Sequence, residues 1–146
     1  MSKLDNKQVV FEVWKTFRTR SRDQIRPYLA PDIHWIAPPG NATALALGKP
    51  AGFTDRESMM DFICDDFTRL FARDLSTQVR SAVCEGNVVI LEQTLSATLF
   101  DGRPYKNDYV FVFDVRDGQV RQMREYMDTA SGFRQIFGDQ PARKLI

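Results

Sequence analysis

VVILEQTLSATLFDGRPYKNDYVFVFDVRDGQVRQMREYMD, residues 88–128, is the stretch whose reading decides the fold. Hydrophobicity alternates along it with a period of two, and breaks at Asp101-Gly102 and Asp117-Gly118 divide it into runs at 88–100, 105–116 and 119–128. Connections this short join antiparallel neighbours. Alternate residues of a strand share a face, so each run sorts into two rows. One face carries Leu91, Gln93 and Leu95, then Tyr105, Asn107, Tyr109, Phe111, Phe113 and Val115, then Met123, Glu125 and Met127. The other carries Lys106, Asp108, Asp114, Arg124 and Tyr126. The first face is the buried one.

A one-residue slip turns a whole row toward solvent, so burial is expected to override turn preference in setting the register. A two-residue turn at Asp117-Gly118 pairs Arg116 with Gln119 and leaves Glu125 out of phase with Tyr109. A three-residue turn with Gly118 left-handed pairs Phe111 with Met123 and Tyr109 with Glu125, and this is the expected register. The same reasoning asks for an odd-length turn at Asp101-Gly102, with Leu95 beside Tyr109.

Working outward, a fourth strand at 75–84 precedes the stretch through Glu85-Gly86-Asn87. Upstream of Leu75 the period becomes helical. Asp5 with Gln8 reads as a capping box ahead of Val10, Val13, Trp14 and Phe17. A short helix is expected over Ser21 to Leu29, weakened by Pro27, and a strand over Asp32 to Ala37. Pro38 to Phe53 reads as a loop, long enough to be a rim or lid. Thr54 with Glu57 reads as a second capping box before Met60, Ile63, Phe67 and Leu70. A last helix with Phe133, Ile136 and Phe137 ends at Gly138. The pattern describes one α+β domain over 1–138, a curved antiparallel sheet wrapped over N-terminal helices, with a tail at 139–146 free to lie loose.

Composition narrows the function classes. The net charge is +1 with the signs mixed along the chain, which argues against a nucleic-acid partner or a membrane-surface helix. The start, Met1-Ser2-Lys3-Leu4-Asp5, lacks the apolar core of a signal peptide, and no apolar run is bilayer-length. Cys64 and Cys84 have neither metal nor disulfide-framework spacing, so a reduced cytoplasmic setting is expected. A single histidine, His34, argues against a site built on several imidazoles, and no metal or cofactor is expected.

Gln93, Asn107, Tyr109 and Glu125 then converge in an apolar hollow, the usual form of a ligand site. Leu95, Phe111, Met123 and Met127 are its expected lining, with Trp35 as a wall. Trp14, Phe17 and Tyr28 are assigned to the core. A carboxyl beside methionines is costly to ionise, so the Glu125 pKa is expected to rise, and a raised acid near a tyrosine hydroxyl suits proton transfer. Glu125 and Tyr109 are therefore the candidate catalytic pair. The plainer alternative is a buried acid satisfied by an arginine or by Tyr109, and core amides at Gln93 and Asn107.

The element order resembles the nuclear transport factor 2-like superfamily. Gly102-Arg103-Pro104-Tyr105, Asn107-Asp108-Tyr109-Val110-Phe111-Val112-Phe113, Asp117-Gly118-Gln119-Val120 and Arg124-Glu125-Tyr126-Met127-Asp128 are similar to its SnoaL-like branch. The resemblance implies a cone-shaped interior that binds a ligand, and a homodimer through the outer sheet face with Arg124 and Tyr126. Carried over, the catalytic positions of ketosteroid isomerases fall at Ala37, Val13 and Tyr109. Those of limonene epoxide hydrolase fall at Leu95, Gln93 and Glu125, its helper positions at Trp35 and Ala37; only the acid at Glu125 is retained. The expectation is a cofactor-free enzyme of the isomerase, cyclase or dehydratase type, acting on a small hydrophobic or amphipathic molecule. A non-catalytic binding module and an assembly domain with a vestigial pocket are the rivals.

Overall fold

Asp117 and Gly118 both adopt positive φ, 53° and 75°, and Arg116 pairs with Gln119 across a two-residue hairpin turn. Turn chemistry therefore wins locally, against the expected three-residue turn. One residue later the register shifts: Val115 pairs with Val120, but Asp114 pairs with Gln122, so Arg121 is an extra residue in a β-bulge. The bulge restores the parity that burial demands. It does so with pairs two residues away from those expected: Phe113 faces Met123, Phe111 faces Glu125 and Tyr109 faces Met127. The expected pairs Phe111–Met123 and Tyr109–Glu125 are not formed. At the other hairpin the turn has odd length as expected, spanning Phe100–Gly102 and closed by Leu99 N–H donating to the Arg103 carbonyl at 2.8 Å. Its register places Leu95 opposite Asn107 and Gln93 opposite Tyr109, so Leu95 is not Tyr109's partner.

The computed structural model describes residues 4–146. Residues 1–3, part of the start considered above for a signal peptide, lie outside the described residues. The elements are α1 (Asn6–Thr19), α2 (Arg22–Ile25) running into one 3-10 turn (Arg26–Tyr28), β1 (Leu29–Ile36), α3 (Ala42–Leu47) and β2 (Gly52–Phe53). Then come α4 (Arg56–Asp61), a π-helical turn (Phe62–Asp66), α5 (Phe67–Leu70), β3 (Phe71–Glu85), β4 (Val88–Leu99), β5 (Pro104–Arg116), β6 (Gln119–Met127) and α6 (Thr129–Phe137). The sheet order is β2-β1-β6-β5-β4-β3, antiparallel except where β1 runs parallel to β6. Register shifts in β3 and β6 curl the sheet, and α1 packs into its concave side against β3, β4 and β5.

Local chemistry explains most element ends. Asp5 accepts from Gln8 N–H at 2.8 Å while Gln8 Oε1 accepts from Asp5 N–H at 3.0 Å, so the first capping box forms. At the second, Asp55 rather than Thr54 caps the helix, accepting from Ser58 N–H at 2.8 Å. Pro27 converts the end of the second helix to a 3-10 turn, and Leu29 already belongs to β1. The stretch expected to be all loop contains α3, capped by Asn41, whose Oδ1 accepts from Ala44 N–H at 3.0 Å. The C-terminal tail is not loose: Leu145 and Ile146 donate backbone N–H groups to the Ala46 carbonyl at 2.7 and 3.3 Å, and both side chains pack on the core. No helix among the described residues is long and apolar enough to cross a membrane.

Candidate active site

The concave face is closed at one end by Phe113, Val89 and Leu91, all fully buried, and opens at the other into a cavity of about 140 Å³. Its sheet side is built by Gln93 and Leu95 of β4, Tyr109 and Phe111 of β5, and Met123 and Glu125 of β6, six of the residues the alternation had grouped together. Trp35 lines it from β1, as expected. Asn107 and Met127 do not reach it. Met127 borders a separate small hollow under α6, and the Asn107 amide is spent on the Asp128 carbonyl (3.0 Å) and the Tyr105 hydroxyl (3.3 Å). His34 is exposed on the outer face.

Glu125 is sealed from bulk solvent by the surrounding wall, yet its carboxyl borders the cavity and keeps some accessible surface. Burial pushes its pKa up to about 7. The Trp35 indole N–H lies near enough to oppose that rise, but it meets the carboxyl in no hydrogen bond of good geometry. The indole nitrogen is buried and has no partner at all among the described residues. Trp35 and Glu125 line one cavity, and the buried indole donor there makes no hydrogen bond among the described residues, so an acceptor placed beside it would be bound favourably.

The other two polar groups are already engaged. Gln93 Oε1 accepts from the Trp14 indole at 2.6 Å, so its carbonyl is tied to α1. Tyr109 does not bond Glu125; its hydroxyl lies 2.7 Å from that of Tyr105. Burial raises the pKa of both phenols, that of Tyr109 strongly, so both stay protonated near neutral pH. Either hydroxyl can be the donor of this pair. Tyr105 accepts from Asn107, and its only other side-chain partner is Tyr109. When Tyr105 is the donor, its proton has an acceptor and the Tyr109 proton is free to point into the cavity. Asn107, expected from the alternation to line the pocket, is instead bonded to Tyr105 behind it, a residue that the alternation also turns inward but that was not counted among the site residues.

The remaining wall was legible only in part. Trp35, Phe53, Phe62, Phe67, Phe71 and Tyr105 form an unbroken series of ring contacts with centroids 4.7–6.2 Å apart. Phe62 enters the wall from the π-helical turn, where the wider winding sets side chains off the regular helical stripe. Trp14 and Phe17, assigned to the core, are also cavity wall. Asn41, Thr43 and Ala44 of the α3 region add a rim that the Asn-to-Gly48 capping signature could have revealed. Gly52 holds this corner together, because a Cβ there would overlap the Trp35 carbonyl oxygen. Gly52→Ala is expected to push β2 off β1, withdraw Phe53 from Trp35, and cost about 1–3 kcal/mol. Urea unfolding and the tryptophan emission maximum read both effects; an unchanged midpoint would contradict the packing described.

The profile of the SnoaL-like domain family matches residues 10–123. The chain belongs to this family. No curated protein matches it at a significant level. Among solved structures, this SnoaL-like chain is similar to a nuclear transport factor 2-like protein of unknown function from Burkholderia pseudomallei K96243, at 22% identity over 91% of this chain and 98% of that one, TM-score 0.76. It is also similar to a candidate SnoaL-like polyketide cyclase from Jannaschia sp. CCS1, at 18% identity over 97% and 99%, TM-score 0.72. A limonene epoxide hydrolase-like enzyme from M. tuberculosis matches at 14% identity over 90% and 88%, TM-score 0.70. At these identities the likeness is one of fold. In the SnoaL-like chain no group of three or more His, Cys, Asp or Glu side chains among the described residues is placed to hold a metal ion.

Proposed function

We propose that this SnoaL-like protein is an enzyme that moves a proton on a small, largely apolar molecule, in a reaction of the isomerase, cyclase or dehydratase kind. The observation that carries the reading is a carboxyl whose pKa burial raises, Glu125, beside the Trp35 indole, a buried donor with no hydrogen bond among the described residues, in one apolar cavity. A carboxyl near pKa 7 exchanges a proton at little cost in either direction at neutral pH. Glu125 is assigned as acid or base. Tyr109, its hydroxyl fed by Tyr105 and Asn107, and the Trp35 N–H are assigned as donors to oxygen that gains charge in the reaction. Gln93, Leu95, Phe111 and Met123 hold the substrate. A fold shared with a candidate polyketide cyclase and an epoxide hydrolase is consistent with small-molecule chemistry.

Isotope exchange tests this without the product being identified. Aromatic and alicyclic ketones are incubated with the protein in deuterated water, and wash-in of deuterium beside the carbonyl is followed by mass spectrometry. Wash-in that requires the protein supports proton transfer. Binding of the same ketones without any wash-in would instead favour a non-catalytic binding module.

A further inference from the structure

The mouth of the cavity is charged in a way the proton-transfer reading does not use. Among the described residues, three acidic or basic side chains line this cavity: Arg18, Arg20 and Glu125. Neither arginine forms a salt bridge among the described residues. Arg18 donates only to the Thr77 hydroxyl at 3.0 Å. Arg20 donates to the Ile63 carbonyl at 3.2 Å and lies 5.1 Å from the centre of the Phe67 ring. Asp61 and Asp65 are both taken by Arg22, at 2.9 and 2.6 Å. Two guanidinium groups thus border an apolar hollow with unused donors, while burial weakens the tendency of the one acid inside to ionise.

Arg20 also occupies a costly place. It ends α1 in the left-handed region, φ 53°, where glycine is the usual residue. Burial disfavours its charge, and no carboxylate compensates. A partly desolvated guanidinium without an acid partner, stacked on an aromatic ring at a cavity mouth, is suited to an oxyanion that arrives with the ligand.

We propose that Arg18 and Arg20 form an oxyanion subsite, so that the ligand of this cavity is an apolar ring-sized molecule carrying one anionic oxygen group, such as an aromatic carboxylate. The apolar body lies against the aromatic wall and the anion stays at the mouth, away from Glu125. This assignment rests on the reading of the cavity as a ligand site.

Two fluorescent probes of similar body separate the two readings: anilinonaphthalene sulfonate, an anion, and phenylnaphthylamine, its neutral counterpart. The wild-type protein should bind both. R18Q/R20Q should weaken the sulfonate by about tenfold, the value of one charged hydrogen bond, and leave the neutral probe within about twofold. R18Q alone, at an exposed position where folding is not at issue, should show a smaller loss in the same direction. R18K/R20K should recover part of the affinity, because the charge is kept. Added salt should weaken the sulfonate alone. Equal effects on both probes, or none on the sulfonate, would overturn the subsite while leaving the cavity reading intact. Failure of the wild-type protein to bind either probe would overturn both.

Discussion

Glu125→Gln should abolish deuterium wash-in and, independently of any substrate, remove a slope from the pH dependence of stability. For the first effect, loss of a positioned acid or base costs about 10²–10⁴-fold in rate. The amide keeps the shape of the side chain and its cavity contacts, so binding should survive while turnover does not. For the second, burial raises the folded-state pKa to about 7, well above that of the unfolded chain. Below the unfolded value both states hold the proton and nothing is lost. As pH rises from there toward 7 the unfolded state sheds its proton first, so it binds fewer protons than the native state and stability falls with pH. The loss is complete above about pH 7, where it amounts to about 3 kcal/mol at most, since water entering the cavity lessens the penalty. Urea midpoints measured from pH 4 to 8 should therefore converge between wild type and variant in acid only if the amide itself is neutral to stability; the wild-type curve should in any case fall more steeply over this window. Parallel curves would mean that Glu125 is ionised and compensated in the native state, and would remove its candidacy as a proton carrier.

Phe113→Ala should be the most damaging single truncation at the closed end of the cone. The Phe113 side chain is fully buried, meets Trp14 edge-on at 5.3 Å, and stands between Val89 and Met123 in the pairing of β4, β5 and β6. Helix α1 and the sheet both close on it, so neither can collapse into the space it leaves. The expected cost is about 3–5 kcal/mol, a large share of the ~5–15 kcal/mol typical of a domain. Denaturant unfolding measures the loss, and Trp14 fluorescence in the native baseline reports whether α1 has shifted. A cost near 1 kcal/mol would mean that the core repacks and that α1 is not held by this contact. Because Trp14 also anchors Gln93, a displaced α1 would alter the cavity as well.

The alternation in residues 88–128 was sufficient to determine three strands, the buried face and six of the sheet residues that line the cavity, because side-chain parity is a property of the strand alone. Which residues stand opposite one another was not so determined. The two-residue turn at Asp117-Gly118 and the burial of Met123 and Glu125 make incompatible local demands, and the chain meets both by inserting Arg121 as a bulge. That choice depends on the whole sheet, since only the packed concave face penalises the wrong parity. The consequences reach the site: Tyr109 is set against Gln93 and Met127, bonds Tyr105, and leaves Glu125 to face Phe111. The raised acid could be anticipated from its apolar neighbours in sequence. The unpartnered indole of Trp35, the arginines at the mouth and the relay behind Tyr109 could not, because each joins elements distant in the chain, and only tertiary packing decides which donors keep a partner and which are left open to a ligand.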